Sequence, residues 1–360
     1  TPIFLNLSII VSAIVFRDSF ASNATAFAIG VLLGGSIQLA MQLPSLYRLG
    51  LRFSYAPRLN HSANWKVLKL MAPGVFGAGI YQINVAVSQA VASAQQSGAV
   101  ASLQYSNRIL ELILGIFVVS LATVVLPQLS RQSAAGDLKS VARTGLFAIR
   151  LVAFVTIPAT IGTILLRGPI VDLLFRFSGG SFDMQSSYLT RAALTAHMIG
   201  LFFIGGVRVT VNLFFALKDT KTPVLAAGVS MIANVALCLS LPRWFDHAGV
   251  ALANSLAAAL QLFLLLLLIR SRLEELELSA LFTPLLRITA CSIVMSVACY
   301  LARAELIPSF SSGKLSIIVG LGSVIAFSVS VYALSSYILG SDEQKELLKS
   351  FGNKLGKKED

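Results

Sequence analysis

Two side chains of opposite charge stand one helical turn apart at the head of an otherwise apolar stretch, QYSNRILELILGIFVVSLATVVLPQLS, residues 104–130. Arg108 and Glu111 are at i and i+3, the spacing that puts two residues on one face of a helix. An arginine placed here has two roles open to it. It can pair with Glu111 and snorkel toward the headgroups of a membrane, or it can line a wet cavity and bind an anion. A guanidinium presents a planar fork of donors that matches phosphate oxygens, and it stays charged at any working pH. Arg208, in IGGVRVTVNLFF, is a second cation of this kind. Apart from it the chain is uncharged from 192 to 217, so snorkelling is hard, and Arg208 either faces a cavity or pairs with Glu111. No nucleophile–base pair, glycine-rich phosphate loop or carboxylate dyad accompanies these residues, so the pattern is not that of an enzyme. Cys238, Cys291 and Cys299 fall inside apolar blocks without ligand spacing, and His61, His197 and His247 are scattered. The expectation is no metal and no cofactor.

The elements that must position these charges follow from composition. Hydrophobic residues make up 56% of the 360 and charged residues 12%, where a soluble domain keeps about a quarter charged. The apolar residues come in continuous blocks of bilayer-spanning length without period-2 alternation, which predicts an all-α, polytopic membrane helix bundle and excludes a barrel. Ten spans are expected, near 3–16, 25–46, 68–93, 102–129, 147–166, 190–216, 223–241, 248–269, 283–302 and 315–339. Pro223 opens one of them, where its missing N–H is harmless. The net charge of +12 does not indicate nucleic acid, because the cations lie in short loops between apolar blocks rather than with aromatic residues on one solvated face.

Those loops give an orientation. Arg48, Arg131, Lys139, Lys218, Arg270 and the tail lysines crowd one side, and Arg17, Arg167, Arg176 and Arg303 mark the sparser one. The positive-inside rule then puts both ends of this sequence in the cytoplasm, residues 131–146 on the cytoplasmic face and 177–188 outside. Arg17 and Asp18 read as a solvated cap, and Arg52 as a loop cation within reach of a lobe interface. The segment RQSAAGDLKSVARTGLFAIR, 131–150, predicts a short amphipathic helix lying along the cytoplasmic surface. The basic linker 47–67 is the natural domain boundary. The opening TPIFLNLSII, without Met, basic n-region or cleavage site, predicts an internal starting point within a longer protein.

With these motifs placed, the chain resembles the MurJ/MviN family of lipid II flippases, within the larger superfamily of multidrug and oligosaccharide-lipid exporters. The resemblance is carried by TPIFLNLSII, by APGVFGAGIYQINVAVSQAVAS at 72–93, by LQYSNRILELILGIFVVSLATVVLPQLS at 103–130 and by ALKDTKTPV at 216–224. It implies a fourteen-helix, two-lobe flippase fold of which about ten transmembrane helices are present. Residues 1–46 would be the last two helices of the N-lobe, 47–67 the inter-lobe linker, 68–269 the six-helix C-lobe, 270–339 two extra helices forming a groove for a lipid tail, and 340–360 a charged cytoplasmic tail. The implied substrate is lipid II, an undecaprenyl-pyrophosphate-linked sugar-peptide, moved across the bacterial cytoplasmic membrane by alternating access. Membrane lipids and cell-wall synthesis proteins are the implied partners. The motif NRILE aligns with the family's cavity arginine, so Arg108 becomes a pyrophosphate contact and Glu111 its counter-charge, with Arg208 a further candidate contact from its depth in the span.

The resemblance also implies a test for sodium. Where family members hold that ion, the aligned positions here are Ser88, Asn234, Cys238, Val250 and Asn254, and Ser88 and Cys238 stand in place of acidic residues. Without either carboxylate the expectation is helix packing by small polar residues and no ion. Two other functions compete: a multidrug or polysaccharide-lipid exporter of the same superfamily, which needs a cavity acid of its own, and a membrane scaffold without transport.

Overall fold

The computed structural model describes residues 2–16, 19–20, 23–50, 62–176, 182–273, 275–309 and 314–346. Arg17, Asp18, Arg52, Arg58, most of the linker and the tail beyond 346 lie outside the described residues. The helices are α1 (Pro2–Val15), α2 (Asn23–Arg48), α3 (Ser62–Ser93), α4 (Ala99–Ile113), α5 (Ser120–Ala134), α6 (Leu138–Leu165), α7 (Arg167–Phe175), α8 (Met184–Ile199), α9 (Leu201–Ala216), α10 (Lys221–Ser240), α11 (Pro242–Arg270), α12 (Phe282–Ser309) and α13 (Lys314–Ile338). All ten predicted spans are helical. Among the described residues seven helices are long and apolar enough to cross a membrane, or eight when the bent pair α8–α9 is one span. The chain divides into two compact units, Thr1–Val67 and Leu68–Asp360.

In the first unit α1 packs on α2 through small residues. Ser8 and Ser12 donate to the carbonyls of Gly30 (2.9 Å) and Ala26 (2.7 Å). A Cβ at Gly30 would sit 2.8 Å from the Cα of Ile9, so glycine there lets the two backbones meet.

In the second unit the core gathers on α9, which packs against α5, α6 and α11. Leu213 and Phe214 of α9, Ile149 of α6, and Leu265 and Ile269 of α11 are fully buried. Outward faces are as apolar as the core: Leu225, Ile232 and Leu239, seven residues apart on α10, are 62–70% exposed. That inversion suits a hydrocarbon solvent, where nothing drives apolar side chains inward. Buried hydroxyls find carbonyls across helix pairs, as in Ser230 to Ala257 O (2.7 Å) and Tyr332 to Phe154 O (2.8 Å), because no water is there to satisfy them.

Three segments differ from the sequence expectation. Residues 131–150 are not a separate surface helix. Arg131 to Ala134 finish α5, a turn with Gly136 at φ 75° follows, and Asp137 starts α6 by accepting from Ser140 N–H at 3.0 Å. A cap that strong begins the spanning helix early, and its first turns absorb the basic residues. The span expected at 190–216 is bent by 42° between α8 and α9. There Gly200 N–H bonds His197 O rather than Ala196 O, and Ser255 of α11 donates to the freed Ala196 carbonyl at 2.7 Å. A side chain entering the helix ladder is a recognised cause of a kink, and a Cβ at Gly200 would meet Ser255 Oγ at 2.5 Å. Finally α7, not expected at all, carries Asp172, which bonds Ser187 and pairs with Arg191 of α8.

The loop before α10 yields a stability prediction. Asp219 accepts from Thr222 Oγ1 (2.6 Å), Thr222 N–H (3.0 Å) and Lys221 N–H (3.1 Å), with Arg272 at 3.7 Å. Burial pulls its carboxyl upward, but the Thr222 hydroxyl, those two amides and Arg272 outweigh it and hold it below the usual carboxylate range. A carboxyl depressed by folding stabilises above its unfolded value, about 3.9, and loses that contribution as pH falls through the folded one. Asp219→Ala should therefore destabilise the protein at pH 7 by about 0.5–2 kcal/mol. The gap should narrow as pH falls below that unfolded value, as measured by thermal unfolding in detergent.

Candidate functional site

The span that carries Arg108 and Glu111 runs unbroken from α4 into α5 through a wide π-helical segment, Leu114–Val119. Its α4 half lies against α8, and between α3, α4 and α8–α11 there is a cavity of about 430 Å³. Its polar lining includes Glu111 and Asn107 from α4, His197 from α8, Arg208 from α9, and Asn254 and Gln261 from α11. The structure thus brings two of the three sequence-derived candidates, Glu111 and Arg208, to one cavity.

Arg108 stands differently. It is not among the residues lining this cavity; its side chain is 73% exposed and its guanidinium donates to Glu111 Oε2 at 3.1 Å. The other oxygen of Glu111 accepts from Asn107 Nδ2 at 3.1 Å. Both carboxylate oxygens are therefore engaged within one turn of α4. Among the described residues Glu111 pairs with Arg108 and not with Arg208, and Arg208, exposed toward the cavity, has no ion-pair partner.

The five positions aligned with a sodium site do meet. Ser88 Oγ lies 3.8 Å from Cys238 Sγ, donates to Asn254 Oδ1 at 3.4 Å and accepts from Asn234 Nδ2 at 3.5 Å. Asn234 also donates to Asn84 Oδ1. Val250, fully buried, closes the cluster with hydrocarbon. These residues offer a sodium ion no carboxylate; Ser88 Oγ already donates to Asn254 Oδ1, and among them Asn234 Oδ1 is the buried oxygen without a partner. Among the described residues no three His, Cys, Asp or Glu side chains are placed to hold a metal.

Sequence reasoning passed over His197. It is 6% exposed, its Nδ1 lies 2.8 Å from Ser106 Oγ, and it belongs to the cavity wall. The available signal was a lone imidazole in a spanning segment without other charge than Arg208, which membrane energetics marks as a site residue. Its partner, 91 positions away, had no local signature.

A multi-pass helical bundle with a charged cavity between its helices is the architecture of a membrane transporter. The model of the lipid II flippase MurJ family matches residues 1–320, and the chain belongs to that family. Among its relatives, the probable lipid II flippase MurJ of Vibrio cholerae is 34% identical over 265 residues, covering 74% of this chain and 50% of the relative. That of Rhizobium meliloti is 31% identical over 348 residues, covering 94% of this chain and 64% of the relative. The chain spans about half the length of the first of these relatives. A solved lipid II flippase MurJ in an inward closed conformation matches with a TM-score of 0.73 at 25% identity, over 94% of this chain and 66% of that one. An outward-facing multidrug resistance MATE family transporter of the MOP superfamily matches with a TM-score of 0.50 at 16% identity, over 75% of this chain and 64% of that one, a likeness of fold alone.

Proposed function

We propose that this protein moves lipid II, an undecaprenyl-pyrophosphate-linked sugar-peptide, across the bacterial cytoplasmic membrane. The observation that carries the reading is Arg208: a cation at the middle of a spanning helix costs about 2.5–3.5 kcal/mol, and no ion pair offsets it among the described residues. A pyrophosphate supplies the missing partner, and Arg108 supplies a second, more exposed fork. Glu111 competes with the substrate for Arg108 and eases release. In this reading residues 1–46 end a first lobe, 68–269 form a second lobe that rocks against it, and α12 with α13 holds the lipid tail. A multidrug exporter of organic cations needs a free cavity carboxylate, and both oxygens of Glu111 are already engaged.

The deciding experiment reconstitutes the intact protein in vesicles and follows a fluorescent lipid-pyrophosphate-sugar between leaflets. Exchange above that of protein-free vesicles is expected, with loss in Arg208→Gln. Folded protein that exchanges no probe, or Arg208→Gln at the full rate, would overturn the proposal. Exchange is expected to continue when sodium is replaced by potassium. If it stops, and Asn234→Ala stops it equally in sodium, the polar cluster around Ser88 binds the ion after all.

The membrane orientation is tested separately. Cysteines placed at Ser133 and Met184 in the intact protein should label from opposite faces, Ser133 from the cytoplasm. Labelling of both from one face sinks the assignment.

A further inference from the structure

His197 lies in the cavity wall with its Nδ1 against the Ser106 hydroxyl. Ser106 Oγ donates to Leu103 O at 2.9 Å, which commits the only proton a hydroxyl has. In that arrangement the 2.8 Å contact between Ser106 Oγ and His197 Nδ1 has Nδ1–H as its donor. A neutral imidazole protonated at Nδ1 carries its lone pair at Nε2, and no described residue donates to that atom. His197 is also part of the wall of the cavity that holds Arg208.

We propose that His197 is the proton acceptor of this cavity: when an anionic headgroup arrives, Nε2 takes up a proton supplied through solvent by the buffer acid, and the imidazolium joins Arg208 in holding the phosphate oxygens. This rests on the headgroup reading above and adds to it a proton taken up with the substrate. The other charged groups facing this region leave the role to His197. Glu111 of α4 is held by Asn107 and Arg108. Asp172 of α7 faces α8 but is satisfied by Arg191 and Ser187. His247 of α11 has both ring nitrogens engaged, by Gln96 and by Leu189 O. The cavity residues of α3, α10 and α11 are neutral, and α9 contributes only Arg208. A side chain this enclosed resists charging in an empty cavity, so proton and anion enter together, and the cavity is spared two uncompensated cations between substrates.

The probe is a farnesyl diphosphoryl monosaccharide, a diester whose phosphates exchange no proton near neutrality. Its binding to the intact protein is measured by calorimetry between about pH 5.5 and 7.5, in two buffers that differ in ionisation enthalpy. Wild-type protein should take up as much as one proton per probe bound, with affinity rising by up to about tenfold for each unit of falling pH. His197→Gln should abolish both effects, and His197→Asn provides the same readout if the glutamine variant does not fold. Arg208→Gln should bind more weakly at every pH yet retain the slope. Binding without proton uptake by the wild type, or undiminished uptake in His197→Gln, overturns the role of His197 and leaves the headgroup reading standing. A folded wild-type protein that binds no probe at any pH overturns both.

Discussion

Arg108→Lys is expected to weaken complementation of a flippase-depleted cell, and Arg108→Ala to abolish it, at equal amounts of membrane-inserted intact protein. Lysine keeps the charge and loses the planar fork, so a bidentate hold on a pyrophosphate becomes a point contact. Each charge-assisted hydrogen bond lost is worth about 1.5–3 kcal/mol, a factor of roughly 10–150 in affinity. The 73% exposure of this side chain leaves the remaining guanidinium donors open to a ligand. Snorkelling predicts no loss in the lysine variant, because lysine reaches headgroups as well as arginine does. Full activity of the lysine variant would remove the fork and leave a charge contact. Full activity of the alanine variant would remove Arg108 from the substrate path.

Gly200→Ala is the second substitution with a large expected effect. The added Cβ would stand 2.5 Å from Ser255 Oγ and 2.9 Å from Ser255 Cα, and the latter is backbone that cannot swing aside. Overpacking of this kind costs about 1–3 kcal/mol, visible as a lower thermal midpoint in detergent. Because His197 and Ala196 flank the bend, the loss should extend to substrate binding. Combining it with Ser255→Gly should recover part of the midpoint, since two of the three close atoms disappear. Recovery stays partial because Ala196 O then loses its donor. An unchanged midpoint for Gly200→Ala would mean that the α8–α9 bend is loosely packed.

The ten helical segments were legible because a run of apolar residues as long as the bilayer is thick admits one backbone solution. Arg208 and Glu111 were legible for the same reason: charge inside such a run stands out. What the sequence concealed depends on contacts between distant segments. The bend at Gly200 is made by Ser255, and glycine in an apolar helix carries no sign of its own. The cap at Asp137 is local, yet it was outweighed by the amphipathic look of 131–150. His197 was visible as a residue but not as a site, because its meaning comes from its contact with Ser106, 91 positions away.

The wide turn at Leu114–Val119 has a consequence for helical phase. Leu110 and Leu129 are both buried, at 3% and 0% exposure, yet they are nineteen residues apart. At about 100° per residue that separation leaves an α-helix roughly a quarter-turn out of step, whereas eighteen residues complete about five turns. The π segment absorbs the surplus residue, and both halves of the span keep one inward face. Glu111 stands immediately before this segment and Leu129 well beyond it, so the cavity wall and the packing seam share a compass bearing that the residue count alone would deny them. Losing one residue at Gly115 would leave that bearing intact, while the same loss inside α6, which has no such slack, would swing the following turns away from their partners.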